Sequence, residues 1–154
     1  MDTLLEIRPL IDIVLAMALG GAIGFEREIK DRPAGFRTHM LVAGAAALLV
    51  SAGRAMIDDP HFAGQVVNID PLRLAEAVIA GVSFIGAGTI FSRRGEDSIA
   101  GITTAASLLM VAILGVIVGF RFYLLASAAT LLTLFVLLAQ QRIERWLTPK
   151  KHAD

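Results

Sequence analysis

From Ser98 to Phe120 no residue carries a charge, and after Arg121 none does until Arg142. Runs of this kind constrain the chain more than any other feature. A membrane-crossing helix needs roughly 20 mostly apolar residues, and such runs supply them. The whole chain of 154 residues is 56% hydrophobic with a mean hydropathy of +0.71. A soluble domain of this length exposes more polar surface than that composition provides. The expected fold is therefore an all-α, polytopic transmembrane helix bundle, and the lipid bilayer is its first partner.

Five spans are expected, at about 10–29, 38–57, 72–91, 99–119 and 122–139, within a single transmembrane domain over 1–147. A short tail, 148–154, follows. The break between the last two spans rests on Gly119-Phe120-Arg121 alone, a charge beside a glycine in an apolar run. The alternative is four spans, with the last two merged into one bent helix. Asp70-Pro71 reads as N-cap and first helical position of the third span. Asp97-Ser98 offers caps for the fourth. Trp146 beside Arg142, Glu144 and Arg145 suits an interfacial anchor.

With the N-terminus outside, the inner loops and tail receive ten Lys and Arg (Arg27, Lys30, Arg32, Arg37, Arg93, Arg94, Arg142, Arg145, Lys150, Lys151), and the outer side receives four (Arg8, Arg54, Arg73, Arg121). The positive-inside rule then places the C-terminus in the cytoplasm. The start, MDTLLEIRPLID, lacks the basic region and small-residue cleavage site of a signal peptide, so the first run is expected to remain as a span.

The stretch GFEREIKDRPAGFRTH, Gly24 to His39, holds seven of the chain's 28 charges. The first apolar run covers only about 24 Å up to Phe25, so its helix should continue through Glu26-Arg27 with these charges at the inner boundary. A charge held there either pairs and faces the bundle or snorkels to the headgroups. Arg37, opening the next span, is the natural partner for Glu26. Thr38, Thr103, Thr104 and Ser107 place hydroxyls near two helix N-termini. They either cap those ends or line a polar pocket suited to an anion. The candidate polar cluster is thus Glu26, Arg27, Arg37, Thr38, Thr103 and Thr104. Glu76, inside the third span, reads as an acid near a helix N-terminus or as a buried cation or proton site.

Small residues recur at steps of four: Ala16, Gly20 and Gly24; Ala77 and Gly81; Gly115 and Gly119. Such spacing lets helix backbones approach closely in lipid. A shorter echo links Ala34-Gly35-Phe36-Arg37-Thr38 with Ala100-Gly101-Ile102-Thr103-Thr104, each after a charged loop and a glycine-rich span (Gly20, Gly24; Gly86, Gly88). A parallel repeat or a coincidence of common membrane residues would both produce it.

Several classes are excluded. Net charge is zero, which leaves no basic patch for nucleic acid. There is no cysteine, hence no disulfide or thiolate metal site. His39, His61 and His152 lack ligand spacing, and no Walker A, GxSxG or paired-carboxylate motif is present. The chain is expected to be non-enzymatic and without a cofactor. Its metal or small-molecule ligand, if it has one, is unknown.

The blocks GGAIGFERE, AGFRTHMLV, GVSFIGAGTI and AGITTAASLL, in that order from about Leu10 to Tyr123, resemble the MgtC/SapB family of bacterial inner-membrane proteins. The resemblance implies a small multi-span bundle, commonly of five helices, and a link to growth at low magnesium and survival inside host cells. It implies a regulator that restrains the membrane ATP synthase, acting through a membrane protein partner or homo-oligomer; magnesium carriage is also attached to the name. The motif positions are Glu26 and Arg27, then Gly35, Arg37 and Thr38. In the second half they are Phe84, Gly86, Ala87 and Gly88, then Gly101, Thr104, Ala105 and Ala106. Ser83 and Arg121 stand where the family usually has glycine, and Leu109 where tryptophan is frequent. The resemblance is expected to be to a short form without the cytoplasmic C-terminal domain of the virulence-type members, so functions tied to that domain are not expected of it.

Overall fold

The structure, a computed structural model, describes residues 3–58, 70–92 and 99–147; at 3–6, 58, 71, 91–92 and 140–147 it describes the backbone alone. Five helices form: α1 (Thr3–Ile29), α2 (Phe36–Asp58), α3 (Pro71–Thr89), α4 (Ile102–Gly119) and α5 (Tyr123–Leu147). A two-residue antiparallel ladder, β1 (Phe91–Ser92) with β2 (Ile99–Ala100), ties the end of α3 to the start of α4. That ladder was not foreseen from sequence. The loop 59–69, the charged turn 93–98, the Trp146 side chain and the tail lie outside the described residues.

Ser51 meets Asp12, Gly53 faces Leu74 and Arg54 reaches Gly119, which puts one end of α1, α2, α3 and α4 together. We call this the Asp12 end and the opposite one the Glu26 end. The helices alternate in direction, so α1, α3 and α5 run parallel. Four carry apolar segments long enough to cross a bilayer: Ile7–Ile29, Phe36–Ile57, Leu72–Thr89 and Ile102–Gly119. The apolar stretch of α5, Tyr123–Ala139, is shorter. The last two apolar runs are not merged into one bent helix, because α4 stops. Arg121 N–H donates to Val118 O at 2.7 Å and Phe122 N–H to Ile117 O at 3.1 Å. This is the Schellman helix end, with Arg121 at φ 65° where glycine is usual. α1 ends the same way around Asp31, at φ 51°.

Asp70 caps α3 as expected, its carboxylate accepting from Leu72 N at 2.9 Å. The start of α4 differs from expectation. Its N-cap is Gly101 at φ 91°, without a side-chain cap, whereas Asp97-Ser98 lie outside the described residues. A Cβ at Gly101 would overlap the Thr89 carbonyl, so the chain leaving the ladder requires glycine. The echo noted in the sequence keeps its register: α2 opens one residue after Gly35, and α4 one residue after Gly101.

α4 is the centre, with 56% of its residues buried. The packing rests on glycine. A Cβ at Gly20 would come within 2.7 Å of both Ala43 Cβ and His39 O, and one at Gly24 within 2.7 Å of His39 Cβ. On the other side of α2, a Cβ at Gly115 would overlap Ala43 O, and one at Gly119 would come within 2.6 Å of Val50 Cβ. Leu108, Val111, Leu114 and Val118 fill the space between, with no exposed surface. The rows on α1 and α4 thus pack as expected. The α3 row does not: nothing lies within 4 Å of where a Cβ at Gly81 or Gly88 would stand, and Ala77 is exposed. Within one chain, α3 buries the opposite side, through Val78, Val82 and Gly86.

Gly115→Ala must therefore displace backbone, and is expected to cost about 1–3 kcal/mol. Gly81→Ala, with open space around it, should stay within about 0.5 kcal/mol of the parent. Thermal melting of both variants in one detergent compares them; equal shifts would contradict the packing described.

Candidate functional site

Buried polar side chains gather at the two ends of the bundle. At the Glu26 end, Glu26 and Arg27 are 7% and 3% exposed, so α1 does continue past Phe25 and turns both inward. Arg27 Nε lies 2.9 Å from Glu26 Oε2, and Lys30 Nζ contacts Glu26 Oε1 from one turn further on. These contacts are ionic rather than aligned hydrogen bonds. Neither carboxylate oxygen, nor Arg27 Nε or Nη1, has a hydrogen-bond partner among the described residues. Two cations share one carboxylate here. Lys30 also donates to the Leu137 carbonyl at 2.9 Å, which fastens α5 to α1.

Arg37, expected to pair with Glu26, is exposed on the far side of the α1–α2 turn. Glu26 turns into the bundle while Arg37 stays on the surface, and the acid that reaches the start of α2 is Glu28. Its Oε2 accepts from Phe36 N at 2.7 Å and so caps α2. Gly35 is required for that cap, since a Cβ there would come within 2.7 Å of Glu28 Oε2. Thr38 is only half-buried. The residue that does enter the core from this helix start is His39, which is fully buried. Its Nδ1 lies 2.8 Å from Gly35 O and its Nε2 3.0 Å from Ser107 Oγ, while the Ser107 hydroxyl lies 2.8 Å from Thr104 O. A neutral imidazole satisfies Gly35 from Nδ1–H and takes the Ser107 proton at Nε2. An imidazolium donates at both nitrogens and leaves Ser107 to Thr104. Either way His39 joins α2 to α4.

Of the remaining candidates, Thr103 is exposed and Thr104 buried. Both line a pocket of about 520 Å³ with Asp31, Arg32, Ile99 and Gly101. The uncapped start of α4 opens here, and among the described residues Arg32 is the cation that lines it. Arg37 and Thr38 do not line it. The expected six-residue cluster thus divides: Glu26 with Arg27 in the bundle, Thr103 with Thr104 at the pocket, Arg37 and Thr38 apart. Among the glycines, Gly20, Gly24 and Gly86 carry helix contacts, Gly35 and Gly101 shape helix starts, and Gly88 is open.

The Asp12 end was missed from sequence. Asp12 is 1% exposed and binds three other segments. It accepts from Ser51 of α2 at 3.1 Å and from the Tyr123 hydroxyl of α5 at 2.6 Å, and Arg121 Nε lies 3.7 Å away. Arg54 donates to Gly119 O at 3.2 Å beside it. The left-handed turn is what aims Arg121 back at α1, so the residue departing from glycine repays its strain with a carboxylate contact. The signal was available: an acid inside an apolar span must find partners.

The profile of the MgtC family matches residues 13–146. Protein SrpB of Synechococcus elongatus is 38% identical over 144 residues, covering 88% of this chain and 77% of that protein. Protein SapB of Bacillus subtilis is 38% identical over 147 residues, covering 94% of this chain and 60% of that one. A protein of Escherichia coli K12 named putative magnesium transporter YhiD is 38% identical over 128 residues, covering 83% and 58%. The chain therefore spans less than two thirds of several relatives it matches. No solved structure matches it.

Removing Glu26 takes the carboxylate from beside the buried Arg27 guanidinium, so Glu26→Ala should destabilise by about 3–5 kcal/mol, and Asp12→Ala by a similar amount. Glu28→Ala loses a helix cap, at about 1 kcal/mol. Arg37→Ala should change stability by less than about 0.5 kcal/mol. A melting series in detergent ranks the four, and an Arg37 effect as large as that of Glu26 would contradict the geometry.

Proposed function

The chain belongs to the MgtC family, and we propose that it is a non-catalytic interaction protein of the bacterial inner membrane, its Glu26 end in the cytoplasm. One observation carries this reading. Only 17% of α3 is buried, against 56% of α4, although α3 is apolar enough to span. A helix that gives a single side to its own bundle keeps the other for lipid or for another helix. The family resemblance supplies the setting, adaptation to low magnesium with control of the membrane ATP synthase.

The name of the Escherichia coli relative raises magnesium transport. The buried carboxylates argue against it here. Asp12 and Glu26 are 14 residues apart on α1, about 21 Å along the axis. Arg121 stands beside the first, Arg27 and Lys30 beside the second. Mg²⁺ seeks oxygen ligands in octahedral array, and guanidinium and ammonium groups at each carboxylate repel it. The packed apolar centre between the ends offers no polar route.

Purification from native membranes should yield a particle heavier than one chain, whether by self-assembly or with another protein. Ala80→Phe, on the open side of α3, should shift it at least fivefold toward the single-chain mass. Proteoliposomes containing the protein should take up Mg²⁺ no faster than protein-free vesicles. A monomer in native membranes together with protein-dependent Mg²⁺ uptake would replace this reading with transport.

A further inference from the structure

The side of α3 that faces away from the bundle is not uniformly apolar. Val78, Val82 and Gly86 face α4 and the core. Diametrically opposite, at alternating steps of three and four residues, stand Arg73, Glu76, Ala80, Ser83 and Ala87, all exposed. That spacing is the row a helix presents along a left-handed helix–helix seam. Its middle members are small, and Gly81 and Gly88 beside it have no neighbour within 4 Å. Ser83 lies at mid-span, and Glu76 about one turn inside the Leu72 boundary. A carboxylate and a hydroxyl turned toward acyl chains are unfavourable, whereas the same groups in a helix–helix seam are satisfied.

The charges say what covers this row. Arg73 and Glu76 are three residues apart, about 4.5 Å along the axis and on the same side. Copies inserted in one membrane share an orientation, so α3 of one meets α3 of another in parallel. Under a two-fold axis along the membrane normal, residues of equal number share a depth, and Arg73 of each copy reaches Glu76 of the other diagonally across the roughly 4.5 Å between their levels, within the length of an arginine side chain. A single self-complementary patch then closes both ion pairs at once, as an isologous interface requires. An unrelated helix would need its own matching pair at the same depth.

We infer that the outward face of α3 is the contact between two copies of this chain, closed by reciprocal Arg73–Glu76 pairs above a small-residue seam at Ala80, Ser83 and Ala87. The inference rests on the interaction reading above and names its partner.

The chain contains no cysteine, so single-cysteine cross-linking reports each position cleanly. In native membranes, Ala80→Cys and Ala87→Cys should form a product of twice the chain mass, and Leu131→Cys, exposed on α5, should not. In the Ala87→Cys background, Arg73→Glu or Glu76→Arg alone gives the four grouped side chains one sign of charge, removes both diagonal pairs and should lower the product roughly tenfold. The double variant should restore it to within about twofold. Each variant is first checked for an unchanged melting temperature in detergent, which separates loss of association from loss of fold. A product with another protein's mass overturns the second-copy assignment and leaves the interaction reading standing. Equal cross-linking at Leu131, or single reversals without effect, overturns the face itself.

Discussion

The fold turns on one close approach. Ala43, fully buried, is the point where three helix backbones come together: Gly20 of α1 lies against its methyl group and Gly115 of α4 against its carbonyl. In lipid, burial of apolar surface gives helices no reason to associate, because the tails are as apolar as the side chains. Association must come from dispersion across short distances, and those distances exist only where side chains are absent. With α2 held between two glycine rows, its start at the Glu26 end can carry His39 into the core, and its other end can carry Ser51 to Asp12.

The buried charges then act on the helix that the glycine rows do not reach. α5 has none of these close approaches to α1. Ala126 and Leu137 join the apolar core, and two polar contacts add to them, Tyr123 on Asp12 and the Leu137 carbonyl on Lys30. Both originate on α1, and both are strengthened by the dry surroundings that make an unpaired charge so costly. The bundle is thus a glycine-packed core of α1, α2 and α4. α5 is held by a small apolar contact and two polar ones, and α3 is attached by one side.

Much of this was legible in the sequence, because hydrophobic run length and small-residue spacing act locally. The helices, the Asp70 cap and the Gly20/Gly24 and Gly115/Gly119 rows all follow from them, whereas whether Glu26 turned inward or toward the headgroups stayed open. Partner choice was not legible. Glu26 turns inward and takes Arg27 and Lys30 from its own helix, while Arg37 stays exposed. Asp12 hid among apolar neighbours, its three contacts coming from residues 39 to 111 positions away. Nor does spacing alone say whether a small face is used within a chain. Ala77-Gly81 has the same spacing as Gly20-Gly24, and only the position of α3 at the rim separates them.

The helix lengths carry a last consequence. The span of α3 and that of α4 hold 18 residues each, about 27 Å, and the apolar part of α5 is about 26 Å. α1 and α2 are longer and can tilt. The hydrocarbon core of a typical bilayer is about 30 Å, so the short side leaves a few ångströms of acyl chain unmatched. The membrane must thin beside α3, at a fraction of a kcal/mol per ångström. Lipid is then a poor cover for the very face that the bundle leaves open, and thin membranes suit this protein better than thick ones.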